Sequence, residues 1–336
     1  SKNSSDQTGQ IYLIFNSSRF LRDTNESILL VIIKKEFYIM RETLHRLLSE
    51  TIVFEYSLPN MEKEIDRTKH TTENDHCMKI GTTDIDVAKV IFNGIVEYSY
   101  DEWEIDLKRL DTMQRRALKT KIRYDEEAAQ STKLSYGFYG EILLYLVLQH
   151  FHYLETLTAR GKFCNLLEKS ETKGYDTYQL RYNTEENSVE LWFGEVKFYQ
   201  DYKQAINNVF KNIDKALSNK YFSDNVIAIF DKADDSHLPE RIKEIKNAWE
   251  EDPDINVVQE ALIRDFVLVY PIIVIFDQKK DYDQIVKEVI EYVNTKSINA
   301  TLTLRYKLFF TLIPVSNGKS IKEQVISWIS NKEPQI

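Results

Sequence analysis

The chain has 336 residues, and 43% hydrophobic against 29% charged residues is the balance of a globular protein with a sizeable core. Only 9 Gly and 6 Pro exclude long flexible linkers and collagen-like repeats, and a net charge of −9 argues against a free-standing nucleic-acid binder. Two cysteines, Cys77 and Cys164, are too few for a disulfide scaffold and read as free thiols of a reducing compartment.

Residues 1–9 are polar and read as a disordered tail. From residue 10 to about 51 the pattern predicts a strand, another at 28–33, and a helix around 37–48. A strand at 52–56 and a polar loop at 60–75 follow. Val87, Val90, Ile91 and Ile95 give 84–103 a partly helical period. Residues 107–123 then carry Lys108, Arg109, Arg115, Arg116, Lys119, Lys121 and Arg123 against one acid, Asp111. This stretch reads either as a solvated helix face or as a contact for DNA phosphates or a partner. Residues 10–130 together form an N-terminal α+β region and a candidate partner-binding surface.

Beyond this point the character changes. Residues 136–153 are apolar nearly all round, which predicts a buried helix. Leu166 and Leu167 suit a short strand. Runs at 175–182 and 189–199, separated by turn residues at 183–188, predict a hairpin. Next come a helix at 204–217, a short apolar strand at 225–230, and a charged helix at 238–249 with Pro239 in its first turn. A buried strand at 266–276, interrupted or ended by Pro271, precedes a helix at 282–293, a strand at 302–313 and a closing helix at 320–329. Alternating helices and strands predict an α/β sheet with helices on its faces. The longest apolar run, 266–276, falls well short of a membrane span. No leader-like start is visible, so a cytoplasmic protein without a membrane role is expected.

The chemistry concentrates in LWFGEVKFY. A strand places Glu195 and Lys197 on one face and Val196 and Phe198 on the other. A carboxylate and an ammonium amid apolar residues are costly unless they pair or bind something. Gly194 permits a bend or a close approach by another group. Glu-x-Lys alone is common; it recurs at Glu171–Lys173 and Glu244–Lys246. What marks this copy is Asp176, which a hairpin can return beside Glu195. Two carboxylates in one site repel each other and invite a divalent cation, and hard oxygen donors favour Mg2+ or Mn2+ over Zn2+. The plain alternative is a cross-strand ion pair. Glu141, the one carboxylate of 136–153, reads either as an acid favoured near a helix N-terminus or as a third carboxylate of the cluster. His70, His76 and Cys77 lack the partner spacing of a zinc site. His150 and His152 fit a helix end, and no phosphate-binding glycine pattern is present.

The order Glu141, Asp176, Glu195, Lys197 resembles the PD-(D/E)xK nuclease superfamily: an acid on a helix, an Asp, a hairpin and Glu-x-Lys. Tyr175 stands where that superfamily has Pro. More closely, YGEILLYLVL and KGYDTYQL…VELWFGEVKFY resemble HamA, the effector-nuclease family of Hachiman anti-phage defence systems, over about residues 136–230. The resemblance implies a restriction-endonuclease-like mixed sheet flanked by helices over 131–336, with a C-terminal α/β extension. It implies a Mg2+- or Mn2+-dependent deoxyribonuclease in which Asp176, Glu195 and Glu141 bind metal and Lys197 orients the attacking water. It further implies DNA cleavage with little sequence preference, and a superfamily 2 helicase-like subunit that restrains it. The acidic net charge is consistent with leaving DNA targeting to that partner. The alternatives are a stand-alone restriction or repair endonuclease, and a non-catalytic interaction subunit with a nuclease-like fold.

Overall fold

Seven strands of the computed structural model build one mixed sheet: β1 (Thr72–Asn74), β2 (Glu155–Thr156), β3 (Gln179–Asn183), β4 (Ser188–Trp192), β5 (Glu195–Tyr199), β6 (Phe266–Asp277) and β7 (Tyr306–Val315). The structure describes residues 40–53, 72–74, 79–80, 83–165, 170–171 and 174–336. The sheet order is β1-β7-β6-β4-β3-β2, and β5 pairs with β6 beyond the end of β4. β6 runs parallel to β7, β4 and β5, while β3 is antiparallel to both β4 and β2. The sequence expectation of an α/β fold therefore holds.

Alternation along β6 sorts two cores. Leu268, Tyr270, Ile272, Val274 and Phe276 face α7 (Tyr202–Ala216), α8 (Asn219–Lys232), α9 (Glu240–Glu251), α10 (Val257–Ile263) and α11 (Tyr282–Asn294). Val269, Ile273 and Ile275 face the other core. That core also draws on α1 (Glu42–Thr51), α2 (Asp84–Asn93), α3 (Ile95–Ser99), α6 (Phe138–His152) and α12 (Gly318–Asn331). Between α3 and α6 lie α4 (Leu110–Ala117) and α5 (Gln130–Ser135). A strand covered on both sides reads as one unbroken apolar run, which is why β6 shows no alternation in sequence. Among the described residues no helix is long and apolar enough to cross a membrane.

Pro271 neither interrupts nor ends β6, contrary to the sequence expectation. The break falls in the neighbouring strand. β4 and β5 keep the same offset against β6 on either side of Phe193 and Gly194, so they are two halves of one row, parted where Pro271 offers no N–H. A Cβ on Gly194 would sit 2.2 Å from the Pro271 carbonyl oxygen, so only glycine fits this approach.

Three further expectations are corrected. The strand expected at 225–230 belongs to α8, whose buried Phe222, Val226, Ile229 and Phe230 recur at helical spacing across a wider window. The end of the loop expected at 60–75 pairs with β7 as β1. Helix α10 was not anticipated, although Asn256 caps it by accepting from the Val258 and Gln259 N–H groups, each at 3.1 Å. The closing strand begins at Tyr306 rather than at 302. Expectations for residues 1–39, Leu166, Leu167, His70, His76 and Cys77 lie outside the described residues.

His150, in the last turn of α6, is buried with its ring 4.2 Å from that of His45 and its Nε2 3.1 Å from Ser49 Oγ. Burial, then the nearby His45, push its pKa from 6.5 down to about 4. The unfolded chain takes up this proton near 6.5 and the folded chain resists it. Stability is therefore lost as pH falls from 6.5 towards 4, by up to about 1.4 kcal/mol per pH unit. Urea unfolding at pH 7 and pH 5 should show a smaller drop for His150→Gln than for the parent. An equal drop would remove His150 as the cause.

Candidate active site

β3 ends short of β5, so β5 has β6 on one side and an open edge on the other. Val196 packs towards α6, which turns Glu195 and Lys197 to the opposite side of the strand, where Tyr270 stands on β6. The Tyr270 hydroxyl donates to Glu195 Oε2 at 3.0 Å, and the Lys197 ammonium pairs with Glu195 Oε1. Asp176 fills the open edge. Its N–H donates to Gly194 O at 2.9 Å, and its Oδ2 accepts from the Val196 N–H at 2.9 Å. Oδ1 has no hydrogen-bond partner among the described residues.

The loop that carries Asp176 is anchored from α8. Asn225 Oδ1 accepts from the Tyr175 N–H at 3.2 Å and from the Tyr178 hydroxyl at 2.7 Å. The Tyr175 hydroxyl donates to Ala216 O at 2.6 Å. A Cβ on Gly174 would lie 2.2 Å from the Tyr178 hydroxyl and 2.6 Å from Asn225 Oδ1, so a side chain here would displace that hydrogen bond. Tyr175, in place of a proline, holds the loop by burying its ring against Phe193, Tyr221 and Tyr270.

Burial, then the negative charge of Glu195, raise the Asp176 pKa from 3.8 to about 6, against the pull of Lys197, the Val196 N–H and Arg160. Burial works to lower the Lys197 pKa, but Glu195 and Asp176 outweigh it and hold the ammonium above its usual 10.5. Burial and the Glu195 charge keep the Tyr270 phenol protonated, which fixes it as a donor. Two hard-oxygen carboxylates that repel each other, one with an unengaged oxygen, fit an ion of the Mg2+ class, which takes one or two carboxylates and keeps several waters.

Glu141 comes from the other side of the sheet, in the first turn of α6, and accepts from the Tyr98 hydroxyl. Glu141, Asp176 and Lys197 line one cleft of about 350 Å3 together with Tyr136 and Lys322. Among the described residues no three His, Cys, Asp or Glu side chains form a single metal-holding group. The structure thus joins Asp176, Glu195 and Lys197, and brings Glu141 to the same cleft without joining it to their cluster.

Sequence reasoning missed Arg160, Tyr270, Tyr98 and Lys322. Arg160 is buried in the tight turn Arg160–Phe163 and acts on Asp176 by charge. Tyr270→Phe should leave Glu195 Oε2 without its buried donor, at about 1 kcal/mol of stability, and slow any reaction that depends on Glu195 about tenfold. Rates and melting curves measured together check this; an unchanged rate would assign Tyr270 to packing alone.

The basic stretch 107–123 forms α4 and a π-helical turn, Leu118–Ile122. Lys108, Arg109, Arg115, Arg116 and Lys119 are exposed; Lys121 and Arg123 are half-buried. Asp111, its one acid, accepts from the Gln335 N–H at 2.7 Å. The stretch leads towards the site without lining the cleft. Lys121 packs beside Gly161, next to Arg160, and Tyr124 lies 5.8 Å from the ring of Tyr136 in the cleft wall.

No curated protein matches the chain. The HamA family model matches residues 54–329, most of the sequence and every described element of the cleft. The chain belongs to the HamA family and is a component of Hachiman anti-phage defence.

Proposed function

We propose that this protein is a divalent-cation-dependent deoxyribonuclease that cuts phosphodiester bonds with little sequence preference. The observation that carries this reading is Asp176 held against Glu195 and Lys197 at the open edge of β5, in the wall of a cleft. Mg2+ or Mn2+ held by Asp176 and Glu195 would supply Lewis-acid chemistry, activating water and neutralising phosphate charge. Lys197 remains protonated and donates to the attacking water or to the oxygen that gains charge. Tyr270 fixes Glu195, the Val196 N–H fixes Asp176, and Tyr98 aims Glu141 at the cleft.

Lys108, Arg109, Arg115, Arg116, Lys119, Lys121 and Arg123 would meet the DNA backbone, which fixes register without reading sequence. The net charge of −9 supports delivery by a partner, and a superfamily 2 helicase-like subunit is the partner proposed. The test is plasmid DNA incubated with the purified chain, with and without that subunit, in Mg2+ or EDTA. Cleavage should require Mg2+ and change with the partner. Cleavage that persists in EDTA would refute the cation-dependent reading.

A further inference from the structure

A second pocket, of about 240 Å3, opens beside the cleft between the end of β5 and the start of α12, and Phe198, Tyr199 and Lys322 belong to the walls of both. Lys322 stands where the two meet. Its ammonium lies 4.7 Å from the centre of the Phe198 ring and 5.5 Å from that of Tyr139, and it donates to Leu134 O at 3.3 Å. Among the described residues no carboxylate pairs with it. Burial lowers its pKa from 10.5, which marks a partly dehydrated charge. The neighbouring Tyr199 ring is exposed. On the far wall Asp277 accepts from the Gly318 N–H at 2.7 Å, which makes that wall unsuited to a phosphate.

We propose that the second pocket is a subsite for the nucleotide flanking the cut, with Lys322 on its phosphate and Tyr199 stacking on its base. The assignment follows from the placement of charge. At the junction with the cleft stand a cation without a carboxylate partner among the described residues and the Tyr199 ring. Beyond them lie the acid Asp277 and an exposed Lys319 that pairs with Glu323 at 3.5 Å. A strand bound this way crosses from Asp176 and Lys197 past Lys322, so the chain grips its substrate on a rigid helix as well as on β5. Stacking on an aromatic ring tolerates any base, in keeping with low sequence preference.

This inference rests on the nuclease reading, and its test separates the two. Binding of a short fluorescent single-stranded DNA is measured in Ca2+ over a salt series with the full chain. Lys322→Met keeps the stem over Phe198 and Tyr139 but removes charge and donor. It should weaken binding about three- to tenfold and reduce the slope of log affinity against log salt by about 0.7, the value of one phosphate contact on a single strand. Lys322→Arg should restore the slope, and Tyr199→Ala should weaken binding with the slope intact. If Lys322→Met fails to fold, Lys322→Gln makes the same comparison. A parent protein that cuts DNA while the charge-removing variant keeps the full slope overturns the subsite alone. A parent that neither binds nor cuts DNA, with or without the helicase-like subunit, overturns the nuclease reading beneath it.

Discussion

Lys197→Met should reduce Mg2+-dependent DNA cleavage on the order of a thousandfold while the protein keeps its fold. The side chain is only 18% exposed, and its ammonium pairs with Glu195 Oε1. Glu195 and Asp176 both stabilise its charge, so it donates throughout the working pH range. In the proposed reaction, removing it takes a positive charge from the place where a phosphate would gain negative charge. The fold should survive, because Glu195 still accepts from Tyr270 and Val196 still donates to Asp176. Arginine should rescue poorly, since its planar fork does not reproduce the compact point charge of an ammonium. Nicking time courses with circular dichroism melts decide the matter. A Lys197→Met rate within threefold of the parent would remove this residue from the chemistry.

The part of the site that was legible in sequence is the part built locally. Period-two geometry placed Glu195 and Lys197 together, and the turn-rich stretch 183–188 returned Asp176 to them. The reason Gly194 is glycine was only half legible, because the atom it approaches belongs to Pro271 on a later strand. Proline was expected to break its own strand. Its missing N–H instead fell opposite the gap between β4 and β5, and the neighbouring row broke. Arg160, Tyr98, Tyr270 and Lys322 were illegible for a different reason. Each is one of a common type, and nothing local separates Tyr98 or Tyr270 from the other tyrosines among 20. Their roles come from long-range packing: α3 against α6, β6 against β5, and α12 over the end of β5. The short strand read at 225–230 failed because six residues cannot display a helical period that fourteen make plain.

Asp176→Asn should separate stability from activity. In the folded protein the Asp176 pKa is about 6, above the 3.8 of an unfolded chain. A raised carboxylate stabilises the fold fully below its unfolded pKa, and that contribution is lost as pH rises through the folded one. At pH 8 without divalent cation, the ionised Asp176 therefore destabilises the fold, first through its burial and then through the charge of Glu195. The two-unit shift corresponds to about 3 kcal/mol, reduced by partial exposure to on the order of 1–2 kcal/mol. Asparagine removes the charge and keeps an oxygen for the Val196 N–H, so the variant should melt above the parent in EDTA at pH 8. The gap should close towards pH 4, where the parent is protonated. Mg2+ should also narrow it, by stabilising the parent and not the variant. Cleavage should fall at least a hundredfold in the more stable protein. An Asn variant that melts below the parent under those conditions would mean that neither burial nor the Glu195 charge penalises ionised Asp176 in the folded chain. The strongest support for a cation between them would then be gone.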